Sequence, residues 1–167
     1  TRLFRLLSAA FYNQVKEVIN IHVTDSCPFN CKHCISRRVR GGHAEMPLDV
    51  FSRLMEELDD FDRVYLAGAG EPFSYGKDLR DYEASNFAPS EAFWKLLDIA
   101  ASRARQVYID TNGIAIPEDE EAARSFLGRL PSNVTLVLSV DEYHDEWLAK
   151  YHKDSRAITA RLLEWRE

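Results

Sequence analysis

The chain has 167 residues, enough for one domain with a sizeable core. Hydrophobic residues make up 46% and charged residues 29%, which excludes wholesale disorder, and no apolar run is long enough to cross a bilayer. With 21 basic and 27 acidic residues the net charge is −6, so no chain-wide basic character recommends nucleic acid as a partner.

Strands and helices alternate along the sequence. Leu3, Phe4, Leu7, Phe11 and Val15 recur at helical spacing, so residues 1–16 are expected to form a leading helix and residues 17–167 a single core. Val18 to Val23 is a short β-rich run that ends at a loop holding all three cysteines. Pro47 marks the first turn of a helix whose face is Val50, Phe51, Leu54, Met55 and Leu58. Arg63 to Ala67 predicts a second strand, ending in Gly68-Ala69-Gly70-Glu71-Pro72. A polar loop follows from Ser74 to Pro89, and Ser90 is placed to cap a helix carrying Phe93, Leu96, Leu97 and Ala100. Gln106 to Asp110 predicts a third strand, ending in Thr111-Asn112-Gly113. Pro117 is expected to open a helix running through Leu127, with the acidic run Asp119-Glu120-Glu121 favouring its dipole. Asn133 to Val140 predicts a fourth strand, followed by Asp141-Glu142-Tyr143-His144. A last helix carries Ile158, Leu162 and Leu163. Four β–loop–α units in succession imply an α/β fold with a parallel sheet and helical crossovers. In such folds the C-terminal ends of the strands carry the site, and the unusual residues all fall there.

The cysteines read Cys27-Pro28-Phe29-Asn30-Cys31-Lys32-His33-Cys34, that is C-x3-C-x2-C. Their number is odd and no signal peptide is visible, which argues against disulfides and for the cytoplasm. Three soft thiolates on one loop suit an iron–sulfur cluster that leaves one iron without a protein ligand. A Cys3His zinc module without catalysis, with His22, His33 or His43 as fourth ligand, uses the same donors. Arg37, Arg38 and Arg40 add a local basic cluster, read as a solvated loop before a contact for an acidic group.

These motifs resemble the radical S-adenosylmethionine (radical SAM) superfamily, in particular its activase-like and peptide-modifying members. Cys27, Cys31 and Cys34 match the family's cysteine signature after the first strand. Ala69-Gly70-Glu71-Pro72 matches its Gly-Gly-Glu-Pro motif; Ala69 departs from the first glycine, and Gly68 supplies the Gly-x-Gly-Glu-Pro form. Thr111-Asn112-Gly113 and Ser139-Val140-Asp141 resemble the endings of the third and fourth strands. The likeness spans about residues 17 to 145 and implies a partial (β/α) barrel with helices outside. It also implies two cofactors, a [4Fe–4S] cluster on the three cysteines and S-adenosylmethionine chelating the fourth iron. Reductive cleavage then gives a 5′-deoxyadenosyl radical that abstracts hydrogen from a peptide, protein or small-molecule substrate, with an external one-electron reductant. On the same likeness Glu71 accepts a hydrogen bond from the cofactor amino group. Gly68 and Gly70 allow close backbone approach to its methionine moiety, and His33 lies against adenine. Asn112, Ser139 and Asp141 provide further cofactor contacts. Phe29 is expected to pack under the loop, and Tyr143 and His144 to stand within reach of substrate without an assigned role. The family core has six β–α units and four are counted here. A further C-terminal segment, a homodimer, or a degenerate cluster-binding interaction subunit are the corresponding expectations.

Overall fold

The two central predicted strands, Arg63 to Ala67 and Gln106 to Asp110, alternate buried apolar with part-exposed residues, and that alternation decides how the sheet sits. In the computed structural model, which describes residues 18–36, 44–58, 62–79 and 87–164, four strands form one sheet. They are β1 (Val18–Ile21), β2 (Arg63–Leu66), β3 (Gln106–Thr111) and β4 (Val134–Leu138), in spatial order β1-β2-β3-β4 with every neighbouring pair parallel. Helices α1 (Leu48–Glu57), α2 (Glu91–Arg103) and α3 (Glu120–Arg129) make the crossovers, and α4 (Glu142–Leu148) and α5 (Ser155–Glu164) follow β4. The fold is a partial β/α barrel of four units, as the sequence implies. The leading helix expected over residues 1–16, the cluster Arg37, Arg38 and Arg40, and His43 lie outside the described residues.

Val64 and Leu66 of β2 stand in register with Val107 and Ile109 of β3, and all four are fully buried. They join Phe51 and Met55 of α1, Phe93, Leu96 and Leu97 of α2, and Phe126 of α3 in one apolar cluster. Burying side chains of this size stabilises the fold by roughly 1.5–3 kcal/mol each. The opposite face is polar and part-exposed. Tyr65 and Tyr108 stack there with centroids 4.4 Å apart, and Asn20 lies beside them in register. A parallel sheet buried on both faces would read as unbroken apolar runs, so the alternation leaves one face open as the inside of the partial barrel.

Several boundaries differ from the sequence expectation. Pro47 is the N-cap of α1 and not its first turn. Ser90 caps α2 as expected, its Oγ accepting from the Phe93 N–H at 3.0 Å. Pro117 does not open α3. The helix begins at Glu120, because the Asp119 carboxylate accepts the Ala122 N–H at 2.9 Å and fixes the cap there. Pro72–Ser74, running into the start of the expected loop, forms a 3-10 turn capped by the Glu71 side chain, and residues 80–86 of that loop lie outside the described residues. Helix α4 was not legible in the sequence. It has seven residues, of which Leu148 is the buried one, too few for an apolar period to register.

Candidate active site

The cysteine loop leaves β1 pinned on both sides. The Asp25 N–H donates to Ala44 O at 3.0 Å, the Met46 N–H to Val23 O at 2.9 Å, and Thr24 and Glu45 form an antiparallel bridge. The Ser26 N–H donates to Thr24 Oγ1 at 3.0 Å. Cys31 is buried, Cys27 and Cys34 are half-buried, and none is in a disulfide. The Cys34 N–H donates to Cys31 O at 3.2 Å, so the last two cysteines share one turn.

The turn after β2 lies directly against this loop. The Glu71 N–H donates to Ser26 O at 2.8 Å, and a Cβ on Gly70 would come within 2.7 Å of Thr24 O. Gly68 has φ of +123°, and a Cβ there would run into the His22 ring. The need for glycine at both positions is therefore set by the protein's own β1 loop.

Glu71 is 2% exposed, although it carries a carboxylate. Its Oε1 accepts from Thr111 Oγ1 at 2.7 Å and from the Phe73 N–H at 3.4 Å; its Oε2 accepts from the Asn112 N–H at 2.8 Å. Burial raises its pKa from 4.5 to about 7, with the nearby Asp110 carboxylate adding to the rise and the three hydrogen bonds opposing it. Three donors fill three of roughly four acceptor directions, so one direction on Oε2 remains for a cationic group. Asn112 is 5% exposed. Its Oδ1 accepts from the Ile114 N–H at 3.0 Å, and its Nδ2 lies 3.8 Å from Cys27 Sγ.

The β4 end adds Ser139, whose N–H continues the ladder onto Thr111 O at 2.9 Å. Asp141 then caps α4, its Oδ1 accepting from the Tyr143 and His144 N–H groups at 2.9 and 3.0 Å. Its Oδ2 lies 2.6 Å from His144 Nδ1. Partial desolvation pulls the Asp141 pKa up, but the hydrogen bonds from His144 and Tyr143 win and hold it below the ordinary aspartate value. An ionised carboxylate only accepts, so Nδ1 of His144 carries the proton.

The first and last strands are the two edges of the sheet, about 14 Å apart at ordinary strand spacing. Even so, the cysteine loop reaches α4. Phe29, 2% exposed, stacks with Trp147 and Tyr151 at 6.0 and 5.9 Å, and His33 packs on Tyr143 at 4.5 Å and edge-on to His144 at 5.1 Å. Phe29 thus packs under the loop as expected.

A cleft of about 390 Å³ opens at this mouth. Of the site residues drawn from the sequence, Cys27, Cys31, Cys34, His33, Gly68, Gly70, Glu71, Asn112 and Ser139 line it; Asp141 stands behind His144, which does line it. Asp110 and Thr111, to which the sequence reading gave no role of their own, line the cleft as well, and so does His22, offered there only as a zinc ligand. Asp110 Oδ1 is buried with no hydrogen-bond partner among the described residues, and desolvation raises its pKa. Strand alternation was the available signal, since Tyr108 and Asp110 share the open face.

The donors favour a cluster over zinc. Zinc held by three thiolates needs a histidine as fourth ligand. His33 lies with Asp141 and His144, their ligand atoms within 4.8 Å of one another, as a helix cap with its bonded imidazole and a ring packed on it. His22, one offered zinc ligand, packs over Gly68. Three thiols on one loop, beside a cleft and an amide donor, fit a cluster with one open iron.

A parallel sheet that gathers three thiols, a buried carboxylate and strand-end polar groups at its C-terminal mouth defines a β/α-barrel protein with a metal-cofactor site. The sequence profile of the radical SAM superfamily matches residues 21–165, and the chain belongs to that superfamily. Its members use a [4Fe–4S] cluster and S-adenosylmethionine. No curated protein matches the chain. No helix among the described residues is long and apolar enough to cross a membrane.

Proposed function

We propose that the chain is a radical SAM enzyme that abstracts hydrogen from a peptide, protein or small-molecule substrate in the cytoplasm, fed by an external one-electron reductant. The observation that carries this is the convergence of Cys27, Cys31 and Cys34 with Glu71, Asn112 and Ser139 on one cleft at the strand ends. The three thiolates would hold the cluster. When bound, the cluster and S-adenosylmethionine supply a one-electron reduction that breaks a sulfonium carbon–sulfur bond.

The remaining work belongs to the protein's own side chains. Glu71 offers its open Oε2 direction to the cofactor's ammonium group, a charge-assisted bond that draws the carboxylate into its ionised form. Ser139 stands on the cleft wall to meet polar groups of the ribose or carboxylate. Asp141 acts one step back, fixing the His144 ring through Nδ1. His33, held on Tyr143, offers a ring face to adenine. Phe29 and the α4 aromatics close the mouth on the side where the sheet is open, which keeps water from the reacting atoms.

The test is anaerobic reconstitution with iron and sulfide, then dithionite, S-adenosylmethionine and chromatography for 5′-deoxyadenosine and methionine. Formation of both, lost in Cys31→Ala, supports the proposal. Tight zinc binding with no acid-labile sulfide overturns it. A bound cluster without cleavage reduces the chain to a cluster-binding interaction subunit.

A further inference from the structure

We infer that Asn112 is a positioning residue for the cysteine-bound centre: its side-chain N–H bonds the Cys27 thiolate and raises the reduction potential of the cluster held there. The inference rests on the assignment of Cys27, Cys31 and Cys34 as cluster ligands, and adds a tuning residue that is not itself a ligand.

Asn112 is held by two hydrogen bonds and by burial. Its backbone N–H donates to Glu71 Oε2 at 2.8 Å, its Oδ1 accepts from the Ile114 N–H at 3.0 Å, and the residue is 5% exposed. The Ile114 contact settles which end of the amide is oxygen, because an N–H donor needs an acceptor opposite it. The NH2 end must then face Cys27 Sγ, which lies 3.8 Å away and 85 positions earlier in the chain. Sulfur is large and its hydrogen bonds are long, and a thiolate is a better acceptor than a thiol.

The electrostatics fix the sign. An N–H dipole with its positive end on the ligand sulfur favours the more negative, reduced cluster, and hydrogen bonds to the sulfurs are among the terms that set such potentials. In a buried site the effect is screened less than in water. The bland alternative is that Asn112 only holds its turn, through the side-chain oxygen on the N–H two residues on. Serine and aspartate supply that oxygen equally well, which separates the two roles.

The experiment is an EPR-monitored redox titration of reconstituted wild-type, Asn112→Ser and Asn112→Asp protein, with circular dichroism confirming the fold of each. Both variants keep an acceptor for Ile114 and lose the amide N–H that reaches Cys27; the shorter Ser hydroxyl is engaged at Ile114, and Asp also adds a negative charge. The reduction equilibrium is expected to weaken about tenfold in Asn112→Ser, about 59 mV for a one-electron couple, and further in Asn112→Asp. A Ser variant within twofold of wild type, or an Asp variant no lower than Ser, overturns the inference. Folded variants that take up no cluster also overturn it, since Asn112 would then serve assembly and not tuning. A wild-type protein that takes up no cluster removes the underlying assignment as well. Wild-type protein that cleaves S-adenosylmethionine, with potentials unchanged in both variants, sinks this inference alone.

Discussion

Glu71 shows how a single residue can be recognised in the sequence and yet have its main contacts hidden. Its place in Gly-Ala-Gly-Glu-Pro singles it out as an expected cofactor contact, but the structure surrounds it with Thr111, Asn112 and Phe73. A carboxyl group whose pKa rises from 4.5 to about 7 makes a contribution to stability that is fully present below about 4.5 and lost as pH rises through about 7. The span is worth on the order of 3 kcal/mol. Urea unfolding of the cofactor-free protein is expected to show stability falling between pH 4.5 and 7, and Glu71→Gln is expected to flatten that slope. An equal slope in the variant would mean that Glu71 does not carry the proton. Gly70 is constrained just as tightly. Its neighbours are backbone carbonyls of Thr24 and Ser26, which cannot swing aside as a side chain can. Gly70→Ala is expected to cost about 1–3 kcal/mol and to impair cluster uptake, measured by thermal melting and by iron content after reconstitution. Wild-type values for both would show that the loop has room to give.

At the scale of elements, most of the fold follows from patterns that act over a few residues. The Ser90 cap, the apolar faces of α1 and α2, and the alternation in β2 and β3 were legible because each is a local chemical requirement. Pro117 misled for a local reason too, since two capping-competent signals lie two residues apart and the Asp119 carboxylate is the one the backbone uses. Helix α4 depends on one residue at its start. Asp141 takes two of its otherwise unpaired N–H groups, so Asp141→Ala is expected to lower stability by about 1–2 kcal/mol, read as a drop in melting temperature. Asp141→Asn keeps a capping oxygen and is expected to recover most of the loss. If Ala and Asn fall together, the side-chain hydrogen bond with His144 matters more than the cap.

For the molecule as a whole, the consequential contact joins the two ends of the sheet. Phe29 leaves from the β1 edge and stacks on Trp147 and Tyr151 beyond the β4 edge, which ties the cysteine loop to the last unit of the partial barrel. Removing the ring, Phe29→Ala, is expected to cost about 3–5 kcal/mol. In a double-mutant cycle with Trp147→Ala the coupling is expected at about 0.5–1.5 kcal/mol, beyond simple loss of buried area. Additive effects would show that the loop and α4 are held independently. Ile35, 98% exposed beside Cys34, lines the cleft, and Val137 and Val140 near the β4 end are exposed as well.

Four β–α units, a thiol loop after the first strand and polar motifs at each later strand end are all readable from the order of residues. Each depends on residues close together in the chain: alternation within a strand, a glycine at a tight approach, three thiols in one short loop. The burial of Glu71 against Thr111 and Asn112, 40 and 41 positions away, and the turn of the Asn112 amide to Cys27 arise in the folded chain alone. So does the bridge from Phe29 to α4. Such contacts depend on strand order, register and the curl of the sheet, which set distances between residues that no local preference relates.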